Sequence, residues 1–157
     1  MRELIVDNLD LDENETTKFF SKFGKLEKLK IKNSILHTFH LKEISKYCPN
    51  IESFTIGDIF NESHKPLRKM KNLKKISLNP KISKQQFDEI FIDSETKIEE
   101  ISVIRSHDSF FPGILNKFSK SCSYFLRKLF WNFSSIQNSN KQILLSFPNV
   151  ESIIWLL

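Results

Sequence analysis

Leu26-Glu27-Lys28-Leu29-Lys30-Ile31 decides the fold, because it places apolar residues at positions 1, 4 and 6 and polar residues between them. The same pattern recurs at Met1-x-x-Leu4-x-Val6, Ile51-x-x-Phe54-x-Ile56, Leu73-x-x-Ile76-x-Leu78, Ile98-x-x-Ile101-x-Val103, Leu126-x-x-Leu129-x-Trp131 and Val150-x-x-Ile153-x-Trp155. The copies start at 1, 26, 51, 73, 98, 126 and 150, which are steps of 25, 25, 22, 25, 28 and 24 residues. Alternation of this kind predicts a short strand with one buried face in every unit, and a regular period predicts a repeat architecture.

A second set of apolar residues predicts a helix in each unit. Four of them stand seven residues before a strand pattern and four stand three residues before one: Phe19, Ile44, Phe91 and Ile143, then Phe23, Cys48, Met70 and Phe147. Helix and strand would therefore share one core. Asn14 or Thr16 is the candidate N-cap of the first helix, and Ser83 is the candidate N-cap of a helix over 84–92. Pro66 suits the first turn of a short third helix, and Pro112 suits the start of a helix over 113–121.

Composition excludes several classes of protein. The chain of 157 residues has only three glycines, which argues against phosphate-binding loops, and a net charge of +5, which is too mild to imply nucleic acid by itself. Two cysteines are too few for a disulfide framework. With no apolar run of membrane-spanning length and no signal-peptide pattern at the start, we expect a cytoplasmic or nuclear protein without a membrane span, cofactor or metal.

The units resemble leucine-rich repeats over the whole chain: a strand of the form L-x-x-L-x-L, a helix, and a closing turn. The resemblance implies an α/β solenoid, a horseshoe with parallel strands on the concave face and helices on the convex face. We expect about six to seven units of about 25 residues in a single domain over residues 1–157. Neither end shows a polar cap, so we also expect this domain to be a segment of a longer solenoid.

The closing segments Tyr47-Cys48-Pro49-Asn50-Ile51 and Ser146-Phe147-Pro148-Asn149-Val150 resemble the unit ends of F-box leucine-rich-repeat proteins. That resemblance implies a protein-binding module that is not an enzyme, and specifically the substrate-recognition region of a ubiquitin-ligase receptor. A Skp-type adaptor would then bind only through an F-box outside this chain. One departure concerns the ninth unit position, usually Asn or Cys, which here is Leu9, Ser34, Ile59, Lys81, Ser106 and Ser134. We therefore expect serine to satisfy a neighbouring backbone group in some units, without a continuous ladder.

The register predicts which side chains project from the concave face toward a partner. The candidate partner-binding residues are Lys28, Lys30, Lys32, Thr55, Lys75, Ser77, Glu100, Ser102, Ile104, Lys128, Phe130 and Asn132. Phe130, Ile104 and Ile154 are either binding anchors or contacts for a continuation of the chain. The alternative function is binding of nucleic acid or another acidic surface through the basic stripe Lys28, Lys30, Lys32 and Lys75.

Four further features have a functional and a structural interpretation, and the structural one is favoured each time. His37 and His40 have metal-ligand spacing but no third ligand nearby in sequence, which favours surface or capping roles. Ser106-His107-Asp108-Ser109 contains the residue types of a catalytic triad, yet adjacent residues point in different directions. Cys48 and Cys122 fall on core positions. The basic run 65–75 is interpreted as a solvated helix face with Leu67, Met70 and Leu73 turned inward.

Overall fold

The structure is a computed structural model and describes residues 1–56, 58–59, 63–78, 84–91, 96–103, 125–132 and 149–156. Strands and helices alternate along this part of the chain. In order they are β1 (Glu3–Asp7), α1 (Glu13–Phe20), β2 (Lys28–Lys32), β3 (Ile35–Leu36), α2 (Thr38–Tyr47), β4 (Ser53–Thr55), β5 (Asp58–Ile59), a 3₁₀ helix (Lys65–Lys69), β6 (Lys75–Leu78), α3 (Lys84–Phe91), β7 (Glu100–Val103), β8 (Lys128–Asn132) and β9 (Ser152–Leu156).

Seven of the described strands form one parallel sheet in the order β1-β2-β4-β6-β7-β8-β9. Equivalent residues of successive units are paired, as in the row Leu4, Leu29, Phe54, Ile76. Chain order and sheet order agree, so each unit contacts its neighbours. This confirms the predicted α/β arrangement of parallel strands. A two-stranded sheet pairs β3 with β5 just beyond the ends of β2 and β4.

Each strand of the large sheet begins two residues after the first apolar position of its sequence pattern. The reason is a shared acceptor at the strand entrance: the Arg2 carbonyl accepts from the N–H groups of both Glu27 and Lys28, at 2.9 and 2.9 Å. The carbonyls of Glu27, Glu52, Lys74, Glu99 and Arg127 repeat this arrangement toward the next unit. The hydrogen bonds between strands therefore begin at the second residue of each copy, and the first apolar residue of the copy lies in the turn before the strand.

The core lies between the sheet and the helices. Inward strand residues such as Leu29 and Phe54 belong to the same buried cluster as Ile44 and Phe91 from the helices. Burial of each such side chain contributes roughly 1.5–3 kcal/mol, so the shared core is the main stabilising feature. In α1 the fully buried ring is that of Phe20, whereas the predicted core residue Phe19 is only partly buried and packs edge-on against it at 5.0 Å.

The start of α1 corrects the sequence prediction. Asp12 is the N-cap, and it forms a capping box in which its Oδ1 accepts from Glu15 N at 2.8 Å and its own N–H donates to Glu15 Oε2 at 3.1 Å. Asn14 and Thr16 are not caps, because both lie inside the helix, and Thr16 is fully buried. A helix start is stabilised when a side-chain oxygen accepts from the backbone N–H of the third helical residue. Only the residue just before the first turn is placed to form this hydrogen bond.

The basic run forms a short helix with an apolar inner side, as predicted. Lys65–Lys69 is a 3₁₀ helix with Pro66 in its first turn. Leu67, Met70 and Leu73 are each 1% exposed. Lys65 and Lys69 are exposed on the outside of this helix, whereas Arg68 is partly buried and donates to the carbonyls of Asp88 and Glu89. Lys75, at the end of the run, belongs to β6.

Amide and hydroxyl side chains join neighbouring units at the turns. Ser34 Oγ accepts from Leu9 N at 2.7 Å and donates to Lys32 O at 2.6 Å, so serine occupies the bridging role that the ninth position has in the resembled family. In the closing turns, Asn50 Nδ2 donates to Gly24 O at 2.8 Å and Asn72 Nδ2 donates to Pro49 O at 3.0 Å. These bonds fix the stacking of one unit on the next.

Several predictions lie outside the described residues. They are the helix cap at Ser83, the helix over 113–121 with Pro112, the core positions Ile143 and Phe147, the thiol of Cys122, and the segment Ser106-His107-Asp108-Ser109.

Candidate functional site

The candidate site is the side of the large sheet that faces away from the helices, which we call the strand face. It consists of the outward residues of β1, β2, β4, β6, β7, β8 and β9. Their alternation with buried residues is clearest in β2, where Lys28, Lys30 and Lys32 are exposed and Leu29 and Ile31 are buried. Register then arranges the outward residues in rows that run across the strands.

The first row of the strand face contains most of its charges. It runs Glu3, Lys28, Ser53, Lys75, Glu100, Lys128, Ser152 across the sheet. Opposite charges are adjacent three times: Lys75 Nζ lies 2.9 Å from Glu100 Oε2, Lys28 Nζ lies 4.0 Å from Glu3 Oε2, and Lys128 lies opposite Glu100 in the β7–β8 register. Lys75 and Lys28 therefore have acidic neighbours within the face itself.

The second row is small and hydroxylic at its centre. It runs Ile5, Lys30, Thr55, Ser77, Ser102, Phe130, Ile154. Thr55, Ser77 and Ser102 are each partly exposed, which leaves a central strip of hydrogen-bonding groups. Ile5 is 57% exposed at one end of this strip, and Phe130 is half-buried toward the other end.

The third row is present at the two ends of the sheet. Asp7 of β1 is paired with Lys32 of β2, and Asn132 of β8 is paired with Leu156 of β9. Asp7 Oδ1 accepts from Asn33 Nδ2 at 2.9 Å. That asparagine has a positive φ of 47°, as does Asn8 at 53° in the preceding unit, and left-handed backbone is tolerated best by asparagine among non-glycine residues. The turns after β1 and β2 are therefore alike, and the second supplies a donor to the carboxylate of the first.

Three cations of the face, Lys30, Lys32 and Lys128, have no ion pair within the part of the chain that the structure describes. Lys30 stands between Ile5 and Thr55, and Lys32 stands beside Asp7 without coming within ion-pair distance of it. Together with Lys28 they are spaced about 7 Å apart along one strand, since alternate strand residues repeat at that distance. This is the most concentrated positive charge on the described strand face.

The predicted partner-binding residues are thus distributed as follows. The face includes Lys28, Lys30, Lys32, Thr55, Lys75, Ser77, Glu100, Ser102, Lys128 and Phe130. Asn132 is in β8, but its side chain and all of Ile104 lie outside the described residues, as does the side chain of Ile154. Their role in partner binding stays a prediction. The basic stripe is interrupted, because Lys75 is paired with Glu100.

Charged side chains also line the entrance edge of the strand face, a feature that the sequence analysis did not identify. Arg2 pairs with Glu27 at 3.2 Å, Lys74 with Glu52 at 3.2 Å and Arg127 with Glu151 at 3.5 Å. These ion pairs could have been predicted from the sequence, because both residues of each pair are the second residue of their own copy of the repeat. Aligning the copies would have identified these pairs.

The histidines at the start of α2 have structural roles. His37 is the N-cap residue, and its N–H donates to His40 Nδ1 at 2.9 Å. His40 is 2% exposed, and its Nε2 lies 3.1 Å from Leu11 O, to which only a protonated Nε2 can donate. His37 and His40 border an open groove of about 590 Å³ that is also lined by Asp10 and Asp12. Among the described residues no group of three or more His, Cys, Asp or Glu side chains could hold a metal ion.

Cys48 is a core thiol. It is fully buried at the end of α2, and its Sγ donates to Phe20 O at 3.7 Å. Burial raises the pKa of this thiol from 9.0 to about 11, because the charged thiolate loses its hydration. Such a group is a poor nucleophile at neutral pH, as its core position predicted.

Comparison with known proteins supports the fold. No family model and no curated protein matches the chain. Among solved structures, an internalin from Listeria monocytogenes aligns with 98% of this chain and 41% of its own, with a TM-score of 0.53 and 13% identity. The tropomodulin C-terminal domain from Caenorhabditis elegans aligns with 95% of this chain and 83% of its own, with a TM-score of 0.48 and 11% identity. The chain spans about two fifths of the internalin chain and has a leucine-rich-repeat type of fold. No described helix is long and apolar enough to cross a bilayer.

Proposed function

We propose that this chain is a non-enzymatic protein-binding module that recognises its partner through the strand face. One observation supports this most directly: among the described residues, helices cover only one side of the parallel sheet. Parallel sheets are ordinarily buried on both sides, since their crossover helices pack on both faces. Here the uncovered face presents partly exposed Thr55, Ser77 and Ser102 between charged rows.

The chemistry of the face suits a protein surface better than a small molecule. Its central strip supplies hydroxyl donors and acceptors over several strands, and the charges beside it have both signs. Small ligands are normally held in concave, mostly apolar pockets, whereas protein partners are held by extended surfaces with a few anchors.

Site-specific photocrosslinking tests this proposal. A benzophenone amino acid is introduced at Ser77 on the strand face, or at Ser45 on α2 as a matched control on the opposite side. In cells that naturally express the protein, Ser77 should crosslink to a discrete protein that then binds the purified chain. Crosslinks from Ser45 alone, or equal crosslinks from both positions, would contradict it.

The finer proposal is that the partner is a substrate delivered to an F-box-type ubiquitin ligase. Its support is the Cys48-Pro49-Asn50 unit ending, which resembles those of F-box leucine-rich-repeat proteins. Co-purification of the full-length gene product with a Skp-type adaptor is the test. If no adaptor co-purifies, the ligase role is wrong, while strand-face recognition is unaffected.

A further inference from the structure

Lys30 and Lys32, the two lysines of β2 that have no ion pair among the described residues, identify the chemistry of the partner. This inference rests on the proposed function, because it concerns the same face. We propose that β2 binds an extended acidic segment of a partner protein, in which carboxylates at alternate positions meet these lysines and an apolar side chain contacts Ile5.

The lysines of the basic stripe are not equivalent. Lys75 is held by Glu100 at 2.9 Å, and Lys28 lies 4.0 Å from Glu3, so both have an acidic neighbour. Lys30 has no acid beside it in its row, since Ile5 and Thr55 are its neighbours on the two adjacent strands. The acids of β1 lie diagonally from it, at roughly 7–8 Å between backbones.

The spacing of these cations selects an extended peptide. Lys30 and Lys32 are alternate residues of one strand and so project from the same face about 7 Å apart. Side chains at positions i and i+2 of an extended peptide have the same spacing, because the peptide has the same backbone repeat. A helix places acids at i and i+4 closer together, at about 5–6 Å between Cβ atoms, so an extended segment matches the spacing of the lysines better.

An apolar contact is available beside the cations. Ile5 is 57% exposed and is paired directly with Lys30 across the β1–β2 ladder. An exposed isoleucine next to unpaired cations suits a segment that combines carboxylates with one apolar side chain.

The same geometry disfavours nucleic acid. Tight binding to a phosphate backbone uses roughly six to ten cationic contacts. Here the cations of β2 are flanked by Glu3 and Asp7 on β1, which would repel further phosphates along a strand of nucleic acid. A short acidic peptide can avoid the carboxylates of Glu3 and Asp7, because its own carboxylates need to contact only the lysines of β2.

Fluorescence anisotropy with synthetic peptides and the purified 157-residue chain tests the inference. The probe is a labelled peptide with three glutamates at alternate positions and one leucine. The comparison probes are an isomer with its glutamates three residues apart, a glutamine version, and a labelled single-stranded RNA of similar length. The alternate-glutamate peptide should bind most tightly, and its affinity should fall with salt.

The variants separate local from general charge effects. Lys30→Glu with Lys32→Glu should weaken binding about tenfold or more, because each lost attraction is replaced by repulsion. Lys22→Glu with Lys42→Glu changes the net charge equally, at exposed residues away from β2, and should leave affinity within about twofold. Lys30→Gln with Lys32→Gln should give an intermediate loss. Ile5→Ser should weaken binding of the leucine peptide only.

Three results would overturn the inference: equal losses from the two reversed pairs, no preference for alternate glutamates, or tighter binding of the RNA through the same lysines. Circular dichroism confirms that each variant is folded. Retention of the Ser77 crosslink by the Lys30→Glu/Lys32→Glu variant would contradict the acidic-segment inference alone. If the chain without lysine substitutions gives no crosslink from Ser77, the proposed function is contradicted instead.

Discussion

Ser34 Oγ accepts a hydrogen bond of 2.7 Å from the backbone N–H of Leu9, one unit earlier in the solenoid. The same oxygen donates to Lys32 O at 2.6 Å, so a single hydroxyl joins the ends of β1 and β2. Ser34 is only 4% exposed, and water therefore has little access to either backbone group. An otherwise unsatisfied buried N–H is costly, which makes this residue a stabilising link between units.

Replacement of Ser34 by alanine should lower the free energy of unfolding by about 1–3 kcal/mol, because it leaves the Leu9 N–H buried without an acceptor. The measurement is urea denaturation followed by circular dichroism. Ser45→Ala, which removes an exposed hydroxyl on α2, is the control and should change stability by less than about 0.5 kcal/mol. Equal effects of the two substitutions would show that the inter-unit bond contributes nothing.

Neighbouring threonines of α1 should respond oppositely to valine. Thr16 is fully buried, and its Oγ1 has no hydrogen-bond partner among the described residues. Thr17 Oγ1 donates to Glu13 O at 3.0 Å and lies 2.8 Å from Glu43 Oε2 on α2. Valine has nearly the same shape and helix propensity as threonine, so the hydroxyl is the main difference.

We expect Thr16→Val to raise the free energy of unfolding by about 0.5–1.5 kcal/mol and Thr17→Val to lower it by about 1–2 kcal/mol. Each value is measured by urea denaturation at pH 7. The two variants serve as controls for each other, because they make the same chemical change one residue apart. A destabilised Thr16→Val protein would mean that Oγ1 has a partner.

The repeat could be predicted from sequence, because a strand with one buried side needs apolar and polar residues in alternation. Every unit has such a strand, so the same pattern recurs in each copy. Aligned copies also contain the pair of Lys75 and Glu100, since both are the third residue of their own copy. The role of His40 could not be predicted in this way. Its acceptor is a backbone carbonyl, Leu11 O, and every residue has one. The cap of α1 was missed because Asn14 and Thr16 are as suitable chemically as Asp12, and only backbone geometry distinguishes them.

Cys48 should be almost inert in the folded protein. Its pKa of about 11, against 9.0 for an ordinary thiol, lowers the thiolate fraction at pH 8 by about 100-fold. Alkylation by iodoacetamide, followed by peptide mass spectrometry, should therefore be at least about 100-fold slower at this residue in the folded chain than in urea. Comparable rates in both states would contradict the buried position.

The same shift predicts a loss of stability in alkali. The folded-state pKa of Cys48 lies above the unfolded value, so its contribution is complete below about pH 9 and is lost as pH rises toward about 11. The unaltered chain should lose more stability over that interval than Cys48→Ala, which has no thiol to ionise at this buried position. Parallel stability curves for the two proteins would contradict this prediction.

Glu89 should contribute to stability above its pKa and not below it. Partial burial raises the pKa of its carboxyl, but the His64 N–H, the side chains of Ser63 and Gln85, and the charge of Lys65 outweigh that effect and lower it below 4.5. The His64 N–H donates to Glu89 Oε2 at 2.8 Å, which links α3 to the start of the 3₁₀ helix. A carboxyl whose folded pKa is lowered stabilises the protein above its unfolded pKa, and this contribution is lost as pH falls through the folded pKa.

Glu89→Gln keeps an oxygen acceptor for the His64 N–H and removes only the charge. The variant should be less stable than the unaltered chain at pH 7, by less than about 1 kcal/mol because the carboxylate is largely solvated. The difference should shrink as pH falls below about 4.5 and disappear below the lowered folded pKa, where both side chains are neutral. Thermal unfolding at several pH values gives the measurement, and Asp10→Asn, an exposed acid elsewhere, controls for net charge. A difference that stays constant down to pH 3 would show that the charge of Glu89 does not stabilise the contact with His64.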